Sequence, residues 1–79
     1  MKNNNEVYLV KYRVENEPHY QIVHSNFRFE ESAMKKVEEI RKSMPISEII
    51  VNKRNGYKST KVYSWCDGFE AVYLNRRMA

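Results

Sequence analysis

The stretch EIIVNKRNGYKSTKVYSWCDGFEAVYLN, residues 48–75, contains two pairs of turn residues between runs of residues that favour strands. Asn55-Gly56 and Asp67-Gly68 both accept the positive φ angles that a two-residue type I′ hairpin turn requires. The runs around them are rich in Val, Ile and Tyr, which fit the half-buried surface of a sheet. The stretch therefore predicts three antiparallel strands joined as a meander.

A shorter hairpin is predicted nearer the N-terminus. Residues 7–14 alternate and are rich in Tyr and Val, and residues 20–24 form a second, shorter β-prone run. The sequence ENEP lies between them and supplies turn residues. The N-terminal third of the chain thus contributes two more strands.

One amphipathic helix is predicted between the hairpin and the meander. Ala33, Val37, Ile40 and Met44 recur at steps of four, three and four, which places them on one stripe of a helix. Pro45 ends the helix, because proline has no backbone N–H to continue it. The predicted fold class is α+β: an antiparallel sheet of about five strands in the order ββαβββ, with the helix packed on one face.

The length and cysteine content bound the class of protein. Seventy-nine residues suffice for one hydrophobic core, so we expect a single domain spanning residues 1–79, with residues 1–6 and 76–79 as frayed ends. The single Cys66 cannot form an internal disulfide, which favours a reducing, cytoplasmic setting. The N-terminal apolar run is too short for a secretory signal or a membrane span.

No motif for catalysis, metal binding or cofactor binding is found in the sequence. His19 and His24 are five residues apart, which would put them on opposite faces of one strand, and no pair of cysteines joins them. Both glycines are in turns, so no phosphate-binding loop can be drawn. We therefore expect no metal, no cofactor and no enzymatic activity.

The two faces of the meander can be predicted if both turns are two-residue loops, because residues opposite each other on antiparallel strands share a face. The face predicted to lie under the helix carries Ile49, Val51, Val62, Ser64, Cys66, Phe69, Ala71 and Tyr73, with Lys53 and Lys58 near one end. The open face carries Ile50, Asn52, Arg54, Tyr57, Ser59, Lys61, Tyr63, Trp65, Glu70, Val72 and Leu74.

The predicted open face combines aromatic and basic residues. In the first strand Lys11 and Arg13 have the parity opposite to the apolar residues, so they join this face. Aromatic rings that stack on bases and cations that neutralise phosphates are typical of proteins that bind RNA or single-stranded DNA. The predicted contact residues are Lys11, Arg13, Arg54, Tyr57, Lys61, Tyr63, Trp65 and the basic tail residues Arg76 and Arg77.

Other interpretations of this face are open from sequence alone. The small size and the abundance of Asn, Lys, Glu, Ile and Tyr, which AT-rich phage and mobile-element genomes favour, suggest an inhibitor or adaptor that binds an acidic surface of a host protein. The face could also pair with a second copy as a homodimer, or the aromatic residues could simply form cross-strand pairs. A one-residue bulge after either turn would exchange the two faces.

Overall fold

The structure, a computed structural model, describes residues 6–23 and 26–72. It is an α+β fold in which five antiparallel strands form one sheet and one helix packs against it. The strands lie in the spatial order β2-β1-β3-β4-β5, so the predicted fold class is confirmed. The elements are β1 (Glu6–Val14), β2 (Gln21–Ile22), α1 (Glu30–Ser43), β3 (Ile46–Asn55), β4 (Lys58–Cys66) and β5 (Phe69–Val72).

The helix α1 forms where the apolar stripe predicts it. Ala33, Val37 and Ile40 are buried, and α1 packs on β1 and β3. Its C-terminal cap, Met44, is extended and donates its N–H to the carbonyl of Ile40, and Pro45 follows directly. Within the described chain no helix is long and apolar enough to cross a membrane.

The core lies between α1 and the two central strands. Val10 of β1 is opposite Val51 of β3, and both are buried against the helix stripe together with Ile49. Burying each such side chain stabilises the fold by about 1.5–3 kcal/mol. As predicted, the apolar parity of β1 faces the helix, which leaves the parity of Lys11 and Arg13 on the other side of the sheet.

Both hairpin turns of the meander are present. Cys66 pairs with Phe69 around Asp67 and Gly68, whose φ angles of 48° and 91° match the predicted type of turn. The first turn is displaced by one residue, because Asn55 pairs with Lys58 and the central residues are Gly56 and Tyr57. Of these two only Gly56 has a positive φ, 64°. This displacement leaves the predicted faces near the turn unchanged.

A bulge at Val62 reverses the faces farther along β4. Asn52 is opposite Lys61, but the preceding residue Val51 is opposite Tyr63, so Val62 is an extra residue in β4. Because the side chains of a strand alternate, one extra residue moves every later side chain to the other face. The face assignment is therefore wrong from Tyr63 to Val72: Tyr63, Trp65, Glu70 and Val72 lie on the helix side, and Ser64, Cys66, Phe69 and Ala71 lie on the open side. Tyr73 and Leu74, also assigned to the two faces, lie outside the described residues.

Candidate binding surface

The open face is the side of the sheet that α1 does not cover. Its members follow from the strand register, starting from Lys11 opposite Ile50 and Arg13 opposite Glu48. Of the predicted contact residues, Lys11, Arg13, Arg54 and Lys61 lie on this face. Tyr57 is in the turn between β3 and β4 and is fully exposed. Arg76 and Arg77 lie outside the described residues.

Two cations at one corner of the open face have no anionic partner among the described residues. Arg54 is opposite Ser59, and Lys61 is opposite Asn52, so the two basic side chains are diagonal neighbours on adjacent strands. Diagonal neighbours on one face are about 7–8 Å apart. Both are exposed, and neither forms an ion pair or a hydrogen bond with any residue that the structure describes. This group of Arg54, Lys61, Asn52 and Ser59 is termed the basic corner.

The other two cations of the open face are already engaged. Arg13 forms an ion pair with Glu48 at 3.8 Å, and the Lys11 ammonium lies 4.8 Å from the centre of the Tyr20 ring. The hydroxyl of Tyr20 donates a hydrogen bond to Glu48, and this bond raises the pKa of Tyr20. The loop residue Tyr20 thus lies over the open face at β1, where Lys11 and Arg13 already have partners. The basic corner is the part of this face whose cations have no partner among the described residues.

Tyr63 and Trp65 do not lie on the open face. Tyr63 is 1% exposed, and its hydroxyl donates a hydrogen bond of 2.8 Å to Glu70 on the helix side. Burial, with this bond, raises the pKa of Tyr63 to about 12. Trp65 is half-buried, and the guanidinium of Arg41 lies 5.2 Å from its ring centre. The prediction that these two aromatics form an exposed stacking surface on the open face is wrong, because the Val62 bulge turns them toward the helix.

A cleft of about 790 Å³ separates α1 from β4 and β5. The side chains that line it include Met34, Glu38, Arg41, Tyr63 and Glu70. Its lining carries both acidic and basic groups, and no buried side-chain nitrogen or oxygen among the described residues lacks a hydrogen-bond partner. The buried polar groups of the described fold are therefore already satisfied, and the charged groups of the cleft are exposed to solvent.

The sequence interpretation missed three residues that shape the open face. Phe69 is 81% exposed at the β5 end, Ile22 is exposed at the β2 end, and Tyr20 covers Lys11. A signal for the first was present: placing Tyr63 and Trp65 on the helix side buries more apolar area than placing Ser64 and Cys66 there. No local signal predicts the contacts of Tyr20, because they join residues distant in sequence.

Cys66 is exposed on the open face, which corrects its assignment as a buried core residue. Partial desolvation and the carboxylates of Asp67 and Glu48 raise the pKa of its thiol, which disfavours the reactive thiolate.

In the described part of the chain no three His, Cys, Asp or Glu side chains are grouped as metal ligands would be. Comparisons with protein-family models, curated proteins and solved structures found no match to this chain.

Proposed function

We propose that this protein is a non-enzymatic binding module that acts stoichiometrically, with the backbone of RNA or single-stranded DNA as the partner of its open sheet face. The observation that carries the proposal is the basic corner, where Arg54 and Lys61 are diagonal neighbours with no carboxylate among the described residues to neutralise them. Two exposed cations at this spacing, without an anion of their own, attract an anionic partner such as a phosphate backbone.

The neighbours of the two cations suit a phosphate backbone. Asn52 and Ser59 lie on the same face and offer an amide and a hydroxyl as hydrogen-bond donors. A guanidinium and an ammonium next to neutral donors are the groups that proteins use to contact phosphate oxygens. The basic corner therefore supplies contacts that are strong and independent of base sequence.

Of the three aromatic residues predicted to stack, Tyr57 keeps that role, and Phe69 takes the place of Tyr63 and Trp65. Tyr57 is fully exposed in the turn beside the basic corner, and Phe69 is exposed near the other end of β4. Stacking of a base on an exposed aromatic ring contributes about 1–3 kcal/mol and tolerates any base. We assign base stacking to Tyr57, next to the phosphate contacts, and a supporting role to Phe69.

Neutralising the basic corner is expected to weaken binding and reduce its salt dependence. For an oligonucleotide of about 12 nucleotides, R54Q/K61Q should raise Kd about tenfold, the ratio that corresponds to 1.4 kcal/mol. The slope of log K against log salt should become shallower by about 1.4, because each neutralised phosphate of a single strand contributes about 0.7. Fluorescence anisotropy between about 50 and 200 mM salt measures both quantities.

The matched control is K35Q/K42Q, which makes the same change in net charge with two exposed lysines of α1. Its affinity and salt slope should stay close to those of the unmodified protein. An equal loss in both double variants would mean that only net charge matters. Binding by the unmodified protein that does not vary with salt would refute the proposal.

A protein partner is the second candidate, and the exposed Phe69 and Ile22 favour it. Buried aromatics carry much of the binding energy at protein interfaces, and Phe69 offers such a side chain on the open face. In a nuclease-treated capture experiment, F69A should then lose the partner. Capture that depends on intact nucleic acid would exclude this candidate in favour of the first.

A further inference from the structure

We propose that β5 pairs with β5 of a second copy of this chain, antiparallel and around a two-fold axis that passes beside Ala71. This inference concerns the edge of the sheet and does not depend on what the open face binds. β5 is the last strand of the described sheet, with β4 on one side. The turn before this strand, its exposed side chains and its charges restrict the register of the pairing.

The turn between β4 and β5 determines which backbone groups of β5 point outward. Cys66 and Phe69 flank a two-residue turn, and such a flanking pair exchanges its N–H and C=O groups. The pattern alternates along an antiparallel ladder, so Ala71, opposite Ser64, also bonds to β4. The N–H and C=O groups of Glu70 and Val72 therefore face away from the sheet, and no other described residue accepts or donates to them.

The two edges of the sheet differ in how well they are protected. Natural edges are usually short, or carry proline, bulges or charged side chains that prevent further pairing. β2 has only two residues and follows Pro18 closely. β5 has neither proline nor a bulge in its described length, and the carboxylate of its one charged residue, Glu70, is bonded to the Tyr63 hydroxyl. Of the two edges of the described sheet, the β5 edge is thus the less protected against pairing with another strand.

Exposed apolar side chains lie on both sides of β5. Phe69 is 81% exposed on the open face, and Val72 is 54% exposed on the helix side. A strand added at this edge would cover part of both side chains while it satisfies the outward backbone groups. The edge therefore combines hydrogen-bonding groups with apolar surface, as strands that pair between chains do.

Two conditions restrict the register of a self-pairing. Opposite residues must lie on the same face, and the outward-pointing residues Glu70 and Val72 must form the hydrogen-bonded pairs. Both conditions are met when Glu70 is opposite Val72 of the second copy, which places Ala71 opposite its own counterpart. This register makes four backbone hydrogen bonds. The alternative that pairs Glu70 with its counterpart sets two carboxylates against each other, which is destabilising.

A disulfide placed on the two-fold axis tests this register. In a non-hydrogen-bonded antiparallel pair the Cα atoms are about 4.5 Å apart, within the range that a disulfide spans. C66S/A71C, which lacks the native exposed thiol, should form a covalent dimer under mild oxidation, as seen on a non-reducing gel. The control C66S/T60C places its thiol at an exposed position of β4 outside the part that pairs with β5, and should stay monomeric.

Sedimentation of the unmodified protein measures the association itself. We expect a dimer whose dissociation constant rises about tenfold in A71K, where two ammonium groups would face each other, and stays unchanged in T60K, at an exposed position of β4 that does not pair with β5. Circular dichroism spectra that match the unmodified protein would show that both variants fold. An unmodified protein that sediments as a monomer at all concentrations, or a C66S/A71C variant that crosslinks no more than C66S/T60C, would overturn the proposal. Oligonucleotide binding is a separate readout, so failure of the proposed function leaves this result interpretable.

Discussion

Replacing Tyr63 with alanine is expected to lower the free energy of unfolding by about 3–5 kcal/mol, the usual cost of removing a buried aromatic ring. The ring is 1% exposed and belongs to the core cluster with Val37 and Val51. Removal of the ring leaves a cavity in the core. It also removes the hydroxyl that donates a hydrogen bond to the Glu70 carboxylate. Urea unfolding followed by circular dichroism measures the change.

The control for this prediction is Tyr57→Ala, which removes the same side chain from a fully exposed position. Its free energy of unfolding should stay within about 0.5 kcal/mol of the unmodified protein. A small domain has only about 5–15 kcal/mol of stability, so Tyr63→Leu serves as a milder variant if Tyr63→Ala does not fold. If the Tyr63 and Tyr57 variants were equally stable, Tyr63 would have to be exposed, and the bulge at Val62 would be refuted.

Stability is expected to fall as the pH rises from about 10 to 12, by roughly 2–3 kcal/mol. In the unfolded chain a tyrosine hydroxyl ionises near its ordinary pKa of 10.0, whereas in the fold the pKa of Tyr63 is about 12. Between these values the unfolded state has lost a proton that the folded state retains, so deprotonation favours unfolding. The contribution is fully present below pH 10 and is lost as the pH passes through the folded value.

Urea unfolding at several alkaline pH values tests this expectation, with Tyr63→Phe as the control. The phenylalanine ring keeps the packing but has no group to ionise, so its stability should decline less over the same range. Tyr8 and Tyr20 also have raised pKa values, and they supply a background loss that both proteins share. An identical decline in the two proteins would assign the alkaline sensitivity to those tyrosines instead.

The elements whose position depends on local periodicity could be predicted from the sequence. The stripe of Ala33, Val37 and Ile40 predicts a helix because residues at those steps meet on one side, and the three are buried as expected. The alternation in β1 predicts that Val10 faces the core, and Asp67-Gly68 predicts a tight turn. Each of these predictions needs only near neighbours in sequence.

The faces of β4 beyond Lys61 could not be predicted in the same way. A turn determines register only until the first irregularity, and the residues around Val62 carry no glycine or proline that would indicate a bulge. Placing Tyr63 and Trp65 under the helix is favoured by total buried area, which depends on how the helix lies over the strands. That arrangement is a property of the whole fold.

The candidate site was predicted in part. The strand parity placed Lys11, Arg13, Arg54 and Lys61 together on the side away from the helix, and the structure has them there. Strand parity does not predict which cations already have a partner. Arg13 pairs with Glu48 and Lys11 contacts Tyr20, and both contacts join segments that are distant in sequence. The distinction between the occupied end and the basic corner thus required the three-dimensional arrangement.

The bulge at Val62 has a consequence for how this protein could change over evolutionary time. Deleting that one residue would make Tyr63 follow Lys61 directly, so β4 would alternate without a bulge while Tyr63 and Trp65 stay on the helix side. A loss of three nucleotides would therefore leave both surfaces of the sheet with the side chains that they have now. The same deletion in a strand without a bulge would turn every later side chain to the other face. The bulge thus lets this strand change its length without a change of surface, and relatives with one residue fewer between the two turns are expected to present the same surfaces.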